Sequence, residues 1–144
     1  MIAPTIAVTI VITVVIAIST RLAARRRWVV VTIRGNSMAP TLRDGQRCLM
    51  RRIRRGGAAV GRNAIVMFAA PAALGDDALP LRVKRVAAVA GDPLPRWAVG
   101  AAWATGDGHV PAGKLVVVGD NPRSQGSQQL GYVDCRAVIA VLPS

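Results

Sequence analysis

Ser37 stands in the stretch RGNSMAPTL (34–42), between a glycine turn and a proline corner, directly behind the β-branched run WVVVTI (28–33). Gly35 allows a tight turn and the close approach of another chain, and Pro40 stiffens the corner. A serine hydroxyl is a weak nucleophile until a neighbouring base takes its proton. Without such a base, Ser37 is an ordinary turn serine bonded to its own backbone.

Two kinds of base are on offer. His109 is the one imidazole of the chain and falls in TGDGHVPAG (105–113), which reads as an exposed turn. Paired with Asp107 or Asp120, it could complete a Ser-His-Asp arrangement. The other choice is lysine. The chain fills its basic positions with 17 Arg and only two Lys, Lys84 and Lys114. A guanidinium keeps its proton under all ordinary conditions, whereas a desolvated amine can lose it near neutral pH. Lys84 lies amid Val and Ala in LRVKRVAAVA (81–90), and Lys114 opens a strand after a turn, where solvent keeps it charged. Lys84 is the better base. Exposed, about one lysine in 2,500 would be neutral at pH 7, so the chemistry requires burial.

These side chains need a scaffold. Short apolar or alternating runs bounded by Gly, Pro and Asp predict strands at 28–34, 46–53, 63–69, 81–90, 96–103, 114–118 and 136–142. The expected fold class is mainly β, a small domain of short antiparallel strands behind one N-terminal helix. The division is 1–24 as membrane anchor with its basic flank and 25–144 as the β domain, with 93–113 a short insert. No charged side chain occurs between Met1 and Thr20. As a helix that stretch would be roughly 30 Å long, about one hydrocarbon core. It lacks the basic start of a cleaved signal peptide, so an uncleaved single-pass anchor is expected.

Net charge is +12, with seven Asp and no Glu. The blocks RRR (25–27) and RRIRR (51–55) suit anionic lipid headgroups. Nucleic acid is not expected as a partner, because the five aromatics are too sparse for a stacking platform. One His, two Cys and no Glu argue against a metal site, and no cofactor is expected. Cys48 and Cys135 could pair in an extracytoplasmic domain or stay as two buried thiols.

Three segments taken in order carry a resemblance. GNSMAPTLRDGQ (35–46) resembles the nucleophile box of type I signal peptidases, Ser-Met-x-Pro-Thr-Leu followed by Gly-Asp. KRVAAVAGD (84–92) resembles their lysine box, and GDNPRSQGSQQLGYV (119–133) their third box, with AIVMF (64–68) as the strand between the first two. The resemblance implies a membrane-anchored serine endopeptidase with Ser37 as nucleophile and Lys84 as general base. It makes Ser124 the residue that orients the lysine, Asp120 and Asn121 parts of the supporting turn, and Arg85 the residue that follows the base. Gly35, Asn36 and Met38 would border the substrate cleft. The implied substrates are the signal peptides of exported preproteins, cut after small residues at −1 and −3. The implied location is the plasma membrane, with the catalytic domain on the extracytoplasmic side. The arginines at 21 and 25–27 pull the other way under the positive-inside rule.

Departures from the family pattern are local. Gly35 stands where many relatives carry a serine that donates to the oxyanion. Ala88 and Ala90 replace the Gly and Pro of the lysine box, and Gly126 and Gln128 replace an Asp and an Arg of the third. Two other readings remain: a self-cleaving repressor-type Ser–Lys protease, and an inactive or non-enzymatic basic homologue tethered to the membrane. The oligomeric state is not assigned.

Overall fold

The computed structural model describes residues 3–53, 60–70, 81–98, 108–123 and 130–143, with only the backbone described at 3–8 and 23–26. Helix α1 spans Ala3–Arg27 and runs into β1, Trp28–Thr32. The further strands are β2 Arg47–Arg52, β3 Ile65–Ala69, β4 Leu81–Val89, β5 Lys114–Val118, β6 Val133–Asp134 and β7 Val138–Val141. They form one antiparallel sheet in the order β1-β2-β7-β3-β4-β5-β6, so the expected mainly β class holds.

Side-chain alternation explains why β2 and β3 read so differently. In β2, Cys48 and Met50 turn into the core while Arg47, Leu49 and Arg51 stay outside. In β3, Ile65 and Met67 enter one core cluster, with Met38, Leu42, Cys48 and Met50. Val66 and Phe68 enter another, with Val86, Leu115 and Val117. A strand covered on both faces has no place for a polar residue, hence the unbroken IVMF. β4 lies beside it, with Lys84 opposite Val66 and Arg82 opposite Phe68.

Two strand expectations change. Of the strand predicted over 96–103, the described part, Arg96–Ala98, is a turn closed by Ala98 N–H donating to the Pro95 carbonyl at 2.8 Å, and 99–103 lie outside the described residues. Pro93 and Pro95 remove the ladder donors that a strand would need there. The described ends of the 93–113 insert instead clip together, with Leu94 N–H on the Gly108 carbonyl and Val110 N–H on that of Asp92, both at 2.8 Å. The strand predicted from 136 starts only at Val138, because Cys135–Ala137 is a 3-10 turn capped by the Asp134 carboxylate on Arg136 N–H. Both cysteines are free, and only Cys48 is buried.

The N-terminal helix is present where it was expected. Among the described residues no helix is long and apolar enough to cross a membrane. Along α1, Ile10 to Leu22 are exposed and largely apolar.

Candidate active site

The serine turn is a closed loop between β1 and β2. Ile33 N–H donates to the Gln46 carbonyl at 2.8 Å, and Gly45 N–H returns to the Ile33 carbonyl at 2.9 Å, which shuts its mouth. Inside, Ala39 N–H bonds the Asn36 carbonyl at 3.1 Å and Leu42 N–H that of Met38 at 2.9 Å, making two overlapping turns around Ser37. The Ala39–Pro40 peptide is cis. Met38 and Leu42 plug the turn into the core, so Met38, expected beside the substrate cleft, has its side chain packed against Ile33, Cys48 and Met50.

Gly35 sits at φ +80°, and its N–H donates to Asp44 Oδ1 at 2.7 Å. A Cβ added there would meet nothing within 4 Å, so the requirement for glycine is conformational and not steric. Gly35→Ala is therefore expected to cost about 1–2 kcal/mol by forcing an L-residue into the left-handed region. Urea unfolding of the variant measures it.

Ser37 itself is half-buried, and its hydroxyl bonds no described residue. It is not the self-bonded serine of an ordinary turn. Its backbone N–H is likewise unclaimed by any described residue, which leaves a donor beside the Ser37 hydroxyl.

The third box ties this turn to β4. Asn121 N–H donates to the Ser37 carbonyl at 3.1 Å, and Asn121 Nδ2 donates to the Asn36 carbonyl at 3.0 Å. Its neighbour Asp120 takes Arg85 in a two-pronged ion pair, Nε to Oδ1 at 2.7 Å and Nη2 to Oδ2 at 2.6 Å. Arg85 Nη1 also reaches the carbonyl of Asn63 at 2.8 Å. The Arg85 hydrogen bond, helped by one from the Thr41 hydroxyl, holds the Asp120 carboxyl below the usual carboxylate range despite its burial. Asp120 thus joins the serine loop, through Thr41, to the residue that follows Lys84.

Lys84 is the one charged or polar residue buried among the described residues, 4% exposed in the middle of β4. Its side-chain amine forms no hydrogen bond or ion pair with another described residue. Burial lowers its pKa from the ordinary lysine value, and the nearby Arg82 cation lowers it further. Two causes act in one direction, toward a neutral amine. Lys114 is the contrast: half-buried, with its amine 3.4 Å from the Asp134 carboxylate.

The structure gathers Asn36, Ser37, Thr41, Arg85, Asp120 and Asn121 into one bonded cluster with Lys84 adjoining it. Ser37 and Lys84 make no direct hydrogen bond. Ser124, Gly126 and Gln128 lie outside the described residues, as does Asp107. Asp120, the other acid of the triad alternative, is ion-paired with Arg85. His109 lies across from Pro93 in an isolated bridge. Sequence reasoning passed over Thr41, Asp44, Asn63 and Arg82. Asp44 was readable from the RDG turn after the box, and Asn63 sits at φ +65°, which its neighbours in sequence do not announce.

Among curated proteins, none matches the chain. The profile of the family described as signal peptidase, peptidase S26, matches residues 4–98. That span takes in helix α1, the serine turn and Lys84, and it ends before the third box. A match over well more than half of the chain, bracketing a serine on a closed turn and a buried lysine, shows that this protein belongs to the signal peptidase family, peptidase S26, and is a serine peptidase of that kind.

Proposed function

We propose that the protein cleaves the signal peptides of exported preproteins with Ser37 as nucleophile and Lys84 as general base. The observation that carries this reading is Lys84, a buried lysine without a partner among the described residues, one residue from the ion pair that leads to the serine turn. Neutral Lys84 Nζ takes the Ser37 hydroxyl proton as Oγ attacks the scissile carbonyl. The Ser37 N–H supports the developing oxyanion. Collapse breaks the C–N bond, and the lysine passes its proton to the leaving amine, leaving the signal peptide as an ester on Ser37. Water, deprotonated by the same amine, hydrolyses that ester and regenerates the serine.

Small side chains at −1 and −3 are the expected preference. The test is cleavage of a preprotein with Ala at both positions beside one with Phe at both. Cutting of the first alone supports the reading; cutting of neither, or of both equally, removes it.

A lowered lysine pKa also fixes the pH dependence. The active form is the neutral amine, so kcat/KM rises with pH through the folded pKa of Lys84 and levels off above it. The midpoint is expected below the ordinary lysine value, read from a kcat/KM profile. The sign for stability is the same. Between the folded and unfolded pKa values the unfolded chain holds the extra proton, so Lys84 weakens the fold less as pH rises through that window. Lys84→Met is expected to stabilise the protein at neutral pH, with the gain fading in alkali.

Anchoring by α1 in the plasma membrane, with the sheet domain on the extracytoplasmic side, completes the proposal. Its support is the charge-free stretch from Met1 to Thr20 and the location of the proposed substrates. Carbonate extraction and protease accessibility on intact cells test it; a fully protected domain contradicts the orientation.

A further inference from the structure

We propose that Arg82 is a tuning residue for Lys84: its cation, on the same face of β4 two residues away, holds the buried amine in the neutral form. The inference rests on the Ser37–Lys84 reading for its consequence in catalysis, but its physical basis is separate.

Alternation along β4 puts Arg82, Lys84 and Val86 on one face and Val83 and Arg85 on the other. The antiparallel register sets Phe68 opposite Arg82 and Val66 opposite Lys84, and both of those β3 side chains are fully buried. From β5, Val117 lies opposite Val86. Among the described residues, the strand neighbours on this face of the sheet are therefore apolar. Arg85 carries the other nearby cation, but it turns away and is matched by Asp120. Asp76 and Asp77 lie outside the described residues. Arg82 is half-buried and pairs with no carboxylate among the described residues.

Like charges in a poorly hydrated place repel strongly, and only one of these two groups can shed its proton. Repulsion by the Arg82 charge is accordingly the second cause, after burial, of the lowered Lys84 pKa. Burial alone also lowers a lysine pKa, but at a cost in stability that grows with depth. A fixed neighbouring cation gains part of that shift without deeper burial. On this basis the arginine at 82 is there for its permanent charge.

The chain holds only two lysines, which makes a direct test possible. In full-length protein carrying 13C-labelled lysine, in detergent micelles, two side-chain signals titrate. Lys84 is assigned by its loss in Lys84→Met, and Lys114 serves as internal reference. In Arg82→Gln, the Lys84 curve is expected to move to higher pH while the Lys114 curve stays in place. Arg82→Met, which keeps the apolar stem, serves as a second neutral variant should the glutamine disturb folding.

Preprotein cleavage is followed in the same variants. On the acid side of the profile kcat/KM is expected to fall about three- to tenfold in the neutral variants, as an upward displacement of the Lys84 curve dictates. The profiles should converge in alkali, where the amine is neutral in all of them. A merely structural role for Arg82 would depress activity at every pH equally. Superimposable Lys84 curves in wild type and both neutral variants overturn the inference. A displaced Lys84 curve with an unmoved cleavage profile upholds the tuning by Arg82 and shows that Lys84 is not the base.

Discussion

Lys84→Arg is expected to be as inactive as Lys84→Ala, and both as inactive as Ser37→Ala. Arginine keeps the positive charge and much of the stem, so a lysine that served as an electrostatic clamp or packing group would tolerate the exchange. A lysine that must be neutral cannot, because the guanidinium does not give up its proton. The expected loss in kcat is about a thousandfold or more for each single variant. On the proposed assignment Ser37 and Lys84 act on the same proton, so Ser37→Ala with Lys84→Ala should be hardly worse than either alone. Single-turnover cleavage of a preprotein by the four variants measures this. Appreciable turnover by Lys84→Arg would show that the proton goes elsewhere.

The second large effect is expected at the ion pair between Asp120 and Arg85. Their side chains are 12% and 28% exposed, so water screens the pair only weakly. Asp120→Asn removes the negative charge and one oxygen acceptor while Arg85 stays charged, at an expected cost of about 2–3 kcal/mol. The pH dependence has a definite sign. The folded pKa of Asp120 is depressed, so its contribution is complete above the unfolded carboxylate value and disappears as pH falls through the folded one. The stability gap between wild type and Asp120→Asn should therefore be full at neutral pH and close in acid. Because Asp120 also meets Thr41 and adjoins Asn121, activity should fall by about ten- to a hundredfold from loss of placement. Replacing Asp120 and Arg85 together by leucine should cost less stability than either replacement alone, since no charge is stranded. Denaturant titrations at pH 3 and pH 7 decide it. An equal gap at both values would mean that Asp120 acts through shape and not charge.

Much of this site can be read along the chain, for physical reasons that differ by residue. Lys84 stands out because the chain otherwise uses arginine almost throughout and surrounds this lysine with Val and Ala. Ser37 stands out because Gly35 and Pro40 fix a corner around it, and the turn is indeed closed by Ile33 and Gln46. The strands with a simple covering on one or both faces, β2, β3 and β5, are legible from alternation or from an unbroken apolar run.

Other features depend on distant partners and are silent in a local window. β6 is two residues long and exists only because Lys114 and Leu115 pair with Asp134 and Val133. Arg96–Ala98 has the composition of a strand, but Pro93 and Pro95 deny it a ladder. The Asp120–Thr41 contact joins positions 79 apart, and nothing in either neighbourhood announces the other. Met38 shows the same limit in reverse: a residue that resemblance assigns to the cleft is held in the core by Ile33, Cys48 and Met50.

The covalent role proposed for Ser37 admits the most direct measurement. Wild-type protein is mixed in excess with a preprotein carrying Ala at −1 and −3, quenched in acid within the first turnover, digested and weighed by mass spectrometry. The Ser–Lys assignment predicts the signal peptide joined as an ester to the fragment containing Ser37, with the mature protein released. Neither product should form with Ser37→Ala. Release of the same mature protein by Ser37→Ala, cut at the same bond, would contradict it.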